Sequence, residues 1–149
     1  MLKWAPRIAA AVFCAALIMI ILGPWALYWF ALAKIDGRPS YAFNSAYTAE
    51  DAKALWRKLK QPLPMQVEPL SPYSYLWALL HGDEHLLPHG TALAWLVARS
   101  HNTGHLKDSL WWHPSVAAMT IWLTRNWTTD ELIAKGIELD RRIARPIIR

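Results

Sequence analysis

Residues 8–33 run for 26 positions without a charge. At about 1.5 Å per helical residue, such a stretch exceeds the roughly 30 Å hydrocarbon layer and leaves room for tilt. The pattern predicts one membrane-spanning anchor over residues 1–33. Gly23-Pro24 falls inside it, but helix breakers are tolerated in lipid where neighbouring groups satisfy the freed carbonyl, and Trp25, Tyr28 and Trp29 form the aromatic belt of an interface. Lys3, Arg7 and the amino terminus precede the run, and Lys34, Asp36 and Arg38 follow it. The positive-inside rule then favours a cytoplasmic N-terminus. The expected localisation is the inner (plasma) membrane, single-pass, with the remainder periplasmic or extracellular. The rival reading is a cleaved signal peptide, since Ala31-Leu32-Ala33 has small-x-small spacing; the length of the run and its aromatic end favour retention.

Beyond the anchor, residues 34–47 show turn chemistry at Gly37, Pro39 and Asn44 with no apolar period, and read as a juxtamembrane linker. Residues 48–149 read as one helical domain. Thr48-Ala-Glu-Asp51 caps a helix with Ala52, Leu55, Trp56 and Leu59 on one face and Arg57, Lys58 and Lys60 at its end. Four prolines between residues 61 and 72 make an extended connector, in which residues 65–68 allow a short edge strand. Ser71-Pro72 opens a second helix carrying Tyr75, Leu76, Leu79 and Leu80, and Gly82 stops it. After a polar loop, residues 91–101 predict a buried third helix ended by Asn102 and Gly104. Pro114 fits the first turn of a fourth helix, and Thr128-Thr-Asp-Glu131 caps a fifth reaching about residue 144. The class is all-α.

Composition adds three constraints. The 149 residues are 54% hydrophobic and 18% charged, which excludes a disordered chain. The lone cysteine, Cys14, lies inside the apolar run, so the domain stands on packing without disulfides. The net charge is +5, yet 14 of the 16 basic residues and all 11 acids follow the anchor, and the one marked bias is Arg141, Arg142, Arg145 and Arg149. That cluster reads either as attraction to a membrane surface or as a solvated helix end; a nucleic-acid partner outside the cytoplasm is excluded.

Residues 70–90, LSPYSYLWALLHGDEHLLPHG, resemble the approach to the active site of bacterial peptidoglycan glycosyltransferases, which polymerise lipid II. That family leads from a Ser-Pro-like helix start through an Ala-rich turn to a Glu-Asp pair, an aromatic, a His and a Gly; Asp83, His89 and Gly90 fall on the pattern. Residues 121–133, IWLTRNWTTDELI, resemble the family's long helix, short turn and following helix start. The two blocks and the preceding anchor imply a shortened relative with a lysozyme-like arrangement of helices. The departures are chemical. Gly82 stands where the family's glutamate takes a proton from a sugar hydroxyl, and Val116 where its second glutamate stands. Trp112 and His113 replace the Arg-Lys pair that grips pyrophosphate, and residues 102–111 lack the donor-site segment. Glu84 takes the place of Gly82 only by a two-residue shift, which turns a helical side chain by about 200°. The resemblance therefore implies a catalytically inactive protein that binds a lipid-linked glycan or an envelope (cell-wall synthesis) protein. Its groove would have Asp83, His85 and His89 on one wall and Trp112 and His113 on the other.

Two other classes compete. His81-Gly-Asp-Glu-His85 fits the H-x-x-E-H pattern, in which two histidines one turn apart bind zinc and the glutamate activates water; His89, Glu131 or Glu138 would be the third ligand. Gly82 and Pro88 work against one continuous helix there. The third class is a helical interaction module without a small-molecule ligand. The other histidines, His101, His105 and His113, flank loops, and near a membrane six imidazoles also suit acid sensing. Among ten tryptophans, Trp77, Trp95, Trp122 and Trp127 suit core packing, sugar stacking or headgroup contact, while adjacent Trp111 and Trp112 point about 100° apart and cannot both be buried on one face.

Overall fold

The computed structural model describes residues 4–42, 46–106 and 109–144. Lys3, Asn44, Arg145 and Arg149 lie outside the described residues, as does the side chain of Glu84. Among the described residues the regular elements are α-helices, with two one-turn 3-10 segments at Glu84–Leu86 and Ser109–Trp111 and one isolated bridge between Ile35 and Leu106.

Helix α1, Ala5–Leu32, contains a stretch from Arg7 to Leu32 of mean hydropathy 2.4, long and apolar enough to cross a membrane. Its final turns change role. Tyr28, Ala31, Leu32 and then Ile35 are buried in the same core as α2 (Ala49–Lys58), α4 (Thr91–His105), α5 (Trp112–Asn126) and α6 (Thr129–Ala144). Helix α3, Pro72–His81, lies outside that core: it buries Pro72 and Ala78 and packs Tyr75 against the core.

The local signals act as their chemistry demands. Thr48 Oγ1 accepts from the Asp51 amide at 3.2 Å while the Asp51 carboxylate accepts from the Thr48 amide at 2.9 Å. Thr128 and Glu131 repeat the arrangement at α6. Each pair satisfies two helix-end amides that have no partner within the helix. Ser71 Oγ accepts from the Ser74 amide at the start of α3, and Gly82 closes it with φ +62°, a left-handed conformation that costs glycine nothing.

Helix α5 runs Trp112–Asn126 with Pro114 in its first turn, as the sequence predicts. Two features differ from the sequence reading. Helix α4 continues four residues past His101, carrying Asn102 buried in the interior and Gly104, its penultimate residue, in open space. Residues 65–68 form no strand; the segment is extended and its Glu68 amide donates to the His89 carbonyl at 3.0 Å.

Helices α4 and α5 form an antiparallel hairpin. At one end, Leu70 and Val67 donate from their amides to Thr124 and Thr129, beside the His89–Glu68 bond. At the other, the Asp36 amide donates to the His105 carbonyl, and Ser115 Oγ donates to the Ala31 carbonyl at 3.1 Å. Helix α5 thereby runs back along the outer part of α1, and Arg125 near its end lies 5.6 Å over the Trp25 ring.

Candidate functional site

The expected two-walled groove does not assemble. Asp83, His85 and His89 lie at the end of the hairpin where α4 starts, whereas Trp112 and His113 lie where α5 starts, a helix length of about 20 Å away. Helix pairing sets this: two helices joined by a short link pack antiparallel, so residues just before the first and at the start of the second are kept at opposite ends.

On the first side, Asp83 is half-buried and its carboxylate accepts from the His85 amide at 2.9 Å, which fixes the short turn after α3. His85 is exposed. His89 is half-buried with Nδ1 3.7 Å from a Glu68 carboxylate oxygen, too far for a hydrogen bond but close enough for an ion pair when the imidazole is charged. The loop is held by the Gly90 amide, which donates to the Gln61 side chain at 2.8 Å. On the other side, Trp111 stacks edge-on against Phe30 with centroids 4.9 Å apart, and Lys34 stands over both rings; Trp112 is half-buried and His113 exposed.

The zinc pattern does not form a helical turn. Helix α3 ends at His81, Gly82 turns left-handed, and the following residues form a 3-10 turn, so His81 and His85 are not successive rungs of one helix. His81 Nδ1 is engaged with the Trp77 carbonyl at 2.8 Å. Among the described residues no group of three histidine, cysteine or acidic side chains is gathered to hold a metal ion. Glu131 is committed to its cap with Thr128, and Glu138 pairs with Lys135 and Arg142.

Sequence reasoning missed a groove of about 520 Å³ beside α1, lined by Ile20, Tyr73, Ser74, Leu76, Trp77, Leu80 and Leu86. Its walls are apolar apart from one serine and one tyrosine. Leu86 belongs to the turn that carries Asp83 and His85, so the groove opens beside that loop. The signal available in the sequence was the absence of charge between residues 70 and 80, but it does not say which element α3 faces.

A second cluster surrounds the end of α4. The rings of His101 and His105 stack in parallel, 4.1 Å apart. Burial holds the His101 imidazole below its ordinary value of 6.5; neighbouring His105 and, more weakly, Arg38 push the same way, opposed by carbonyl contacts at Asp36 and Gly37. A folded-state value below the unfolded one means stability is intact above pH 6.5 and declines as the pH falls from there through the folded-state value. Thermal melts between pH 7.5 and 5 are expected to show this decline, and His101→Gln to flatten it; an unchanged slope in the variant would assign the decline to other groups.

Compared with family models, curated proteins and solved structures, the chain matches none of them.

Proposed function

We propose that this is a single-pass protein of the bacterial cell envelope, N-terminus cytoplasmic, whose outer helical domain binds a lipid-linked glycan at the membrane surface without polymerising it, as a degenerate relative of the peptidoglycan glycosyltransferases. The observation that carries this reading is the apolar groove between α1 and α3, which opens beside the polar loop of Asp83 and His85. A polyprenyl chain is apolar and a pyrophosphate-linked sugar is polar, and a ligand joining the two needs this sequence of surfaces. Its chain would lie against Ile20, Leu76 and Leu80, and its headgroup against the loop. Arg125, at the opposite end of α3 from that loop, donates to the Leu70 carbonyl.

Two placements support binding over turnover. Gly82 caps α3 and bears no side chain, and Val116, at the second aligned glutamate position, is 3% exposed within the core. A carboxylate there would be buried away from any sugar hydroxyl, at a cost of several kcal/mol.

The test uses the full-length chain in lipid nanodiscs with lipid II as the probe. Saturable binding without polymer is expected, weakened about tenfold or more by Leu76→Asp, since burying an unpaired charge in the groove opposes an apolar chain. Polymer formation would overturn the inactive assignment, and binding no greater than to protein-free discs would overturn the ligand.

A further inference from the structure

Helix α3 presents an outward face that a water-exposed domain does not tolerate. From Leu70 to Leu80 the chain carries no charge, and Trp77, Leu79 and Leu80 are 58%, 66% and 79% exposed, with Tyr73 and Leu86 also exposed. Soluble monomers rarely leave a contiguous patch of this kind uncovered.

The position of α3 along α1 identifies what covers it. Taking Arg7 at the cytoplasmic boundary, a hydrocarbon layer of roughly 30 Å extends about 20 residues along the helix, which puts the outer boundary near Leu27. Ile20 and Ile21 then lie about 10 Å inside the outer leaflet. Ile20 lines the groove together with Leu76, Trp77, Leu80 and Leu86, and the Tyr73 hydroxyl donates to the Ile21 carbonyl. An element touching α1 at that depth is surrounded by lipid.

The polar groups agree with this placement. A hydroxyl in hydrocarbon is costly without a partner, and the Tyr73 hydroxyl has one in the Ile21 carbonyl. Apart from the phenols of Tyr73 and Tyr75, the charged and titratable side chains stand at the ends of α3: Glu68 and Arg125 before its start, His81 as its last residue, and Asp83 and His85 after it. A ten-residue helix, apolar along its length and polar at both ends, suits lying in the leaflet and is too short to cross it.

We infer that α3 forms a second membrane element, embedded in the outer leaflet beside the span, with the polar turn after it at headgroup level. The occupant of the exposed face is the bilayer. This inference rests on α1 crossing the membrane, as proposed above, and is independent of whether a glycan binds.

The test is site-directed spin labelling of the full chain in nanodiscs on a Cys14→Ser background, with Leu17→Cys in the span and Lys53→Cys on α2 as references. Leu79→Cys and Leu80→Cys replace side chains that are exposed on the protein surface and leave the core intact. Both labels are expected to match Leu17 in high collision with oxygen and to show several-fold lower collision with an aqueous nickel chelate than Lys53. If Leu17 is lipid-exposed but Leu79 and Leu80 collide with nickel as Lys53 does, α3 faces water and the inference falls alone. If Leu17 itself is nickel-accessible, the spanning assignment falls with it. Dipolar broadening between copies, with both reagents excluded, would replace the bilayer with a second chain and overturn the inference.

Discussion

Trp56→Ala is expected to lower the stability of the domain by about 3–5 kcal/mol, the cost of deleting a large buried aromatic side chain. Trp56 is 2% exposed, and it does more than fill space. Its indole Nε1 donates to the Pro62 carbonyl at 2.7 Å, which fastens the proline-rich connector to α2. That connector then supplies the amides of Val67, Glu68 and Leu70 that bond to Thr129, His89 and Thr124. Removing the ring opens a cavity and releases a segment that holds three elements together. Since domains have only about 5–15 kcal/mol in total, the loss is a large share of it. Circular dichroism melts of the detergent-solubilised chain should show a fall of roughly 10–20 °C in the domain transition. Trp77→Ala, at an exposed ring, should stay within about 0.5 kcal/mol of the parent. Equal effects for the two tryptophans would contradict the assignment of the core.

The second large effect belongs to Gly90. Its φ is +78°, and a Cβ there would stand 2.5 Å from Val67 Cγ2 and 2.9 Å from Val67 Cα. A side-chain end can rotate away, but a backbone atom cannot, so Gly90→Ala has to push the connector off the loop. The left-handed conformation alone costs an L-residue about 1–2 kcal/mol, and overpacking adds about 1–3. The expected loss is therefore about 2–5 kcal/mol, read from the urea midpoint. Gly82→Ala separates the two contributions. Gly82 shares the left-handed backbone, with φ +62°, but a Cβ there meets nothing within 4 Å, so only about 1 kcal/mol is expected. Similar costs at both glycines would mean that Val67 does not press on the loop. Because the same loop carries Asp83, His85 and His89, Gly90→Ala should also weaken lipid II binding under the proposed function.

The pairing of Gly90 with Val67 illustrates a division that runs through the molecule. The glycine requirement is local and was visible as a position in a motif, but the neighbour that enforces it is 23 residues earlier in the chain and arrives by folding. Asn102 and Gly104 predict a stop because their intrinsic preferences oppose helix. Packing of the apolar face of the same helix, at Leu93, Ala94, Val97 and Ala98, overrides those preferences of about 1 kcal/mol.

What the sequence determined by itself is everything that depends on neighbours within about one helical turn. This covers the all-α class, the length and polarity of α1, the reciprocal caps at Thr48 and Thr128, and the Ser71-Pro72 start and Gly82 stop of α3. Caps and propensities act over three or four residues, so a linear reading contains all of their physics. Only the tertiary structure decided which helix ends meet. It separated Asp83 and His89 from Trp112 and His113, drew Tyr28, Ala31 and Leu32 of the apolar helix into the domain core, and laid α3 against Ile20 and Ile21. These outcomes come from burying apolar faces against partners far away in sequence, and periodicity records that a face is apolar without recording what it will touch.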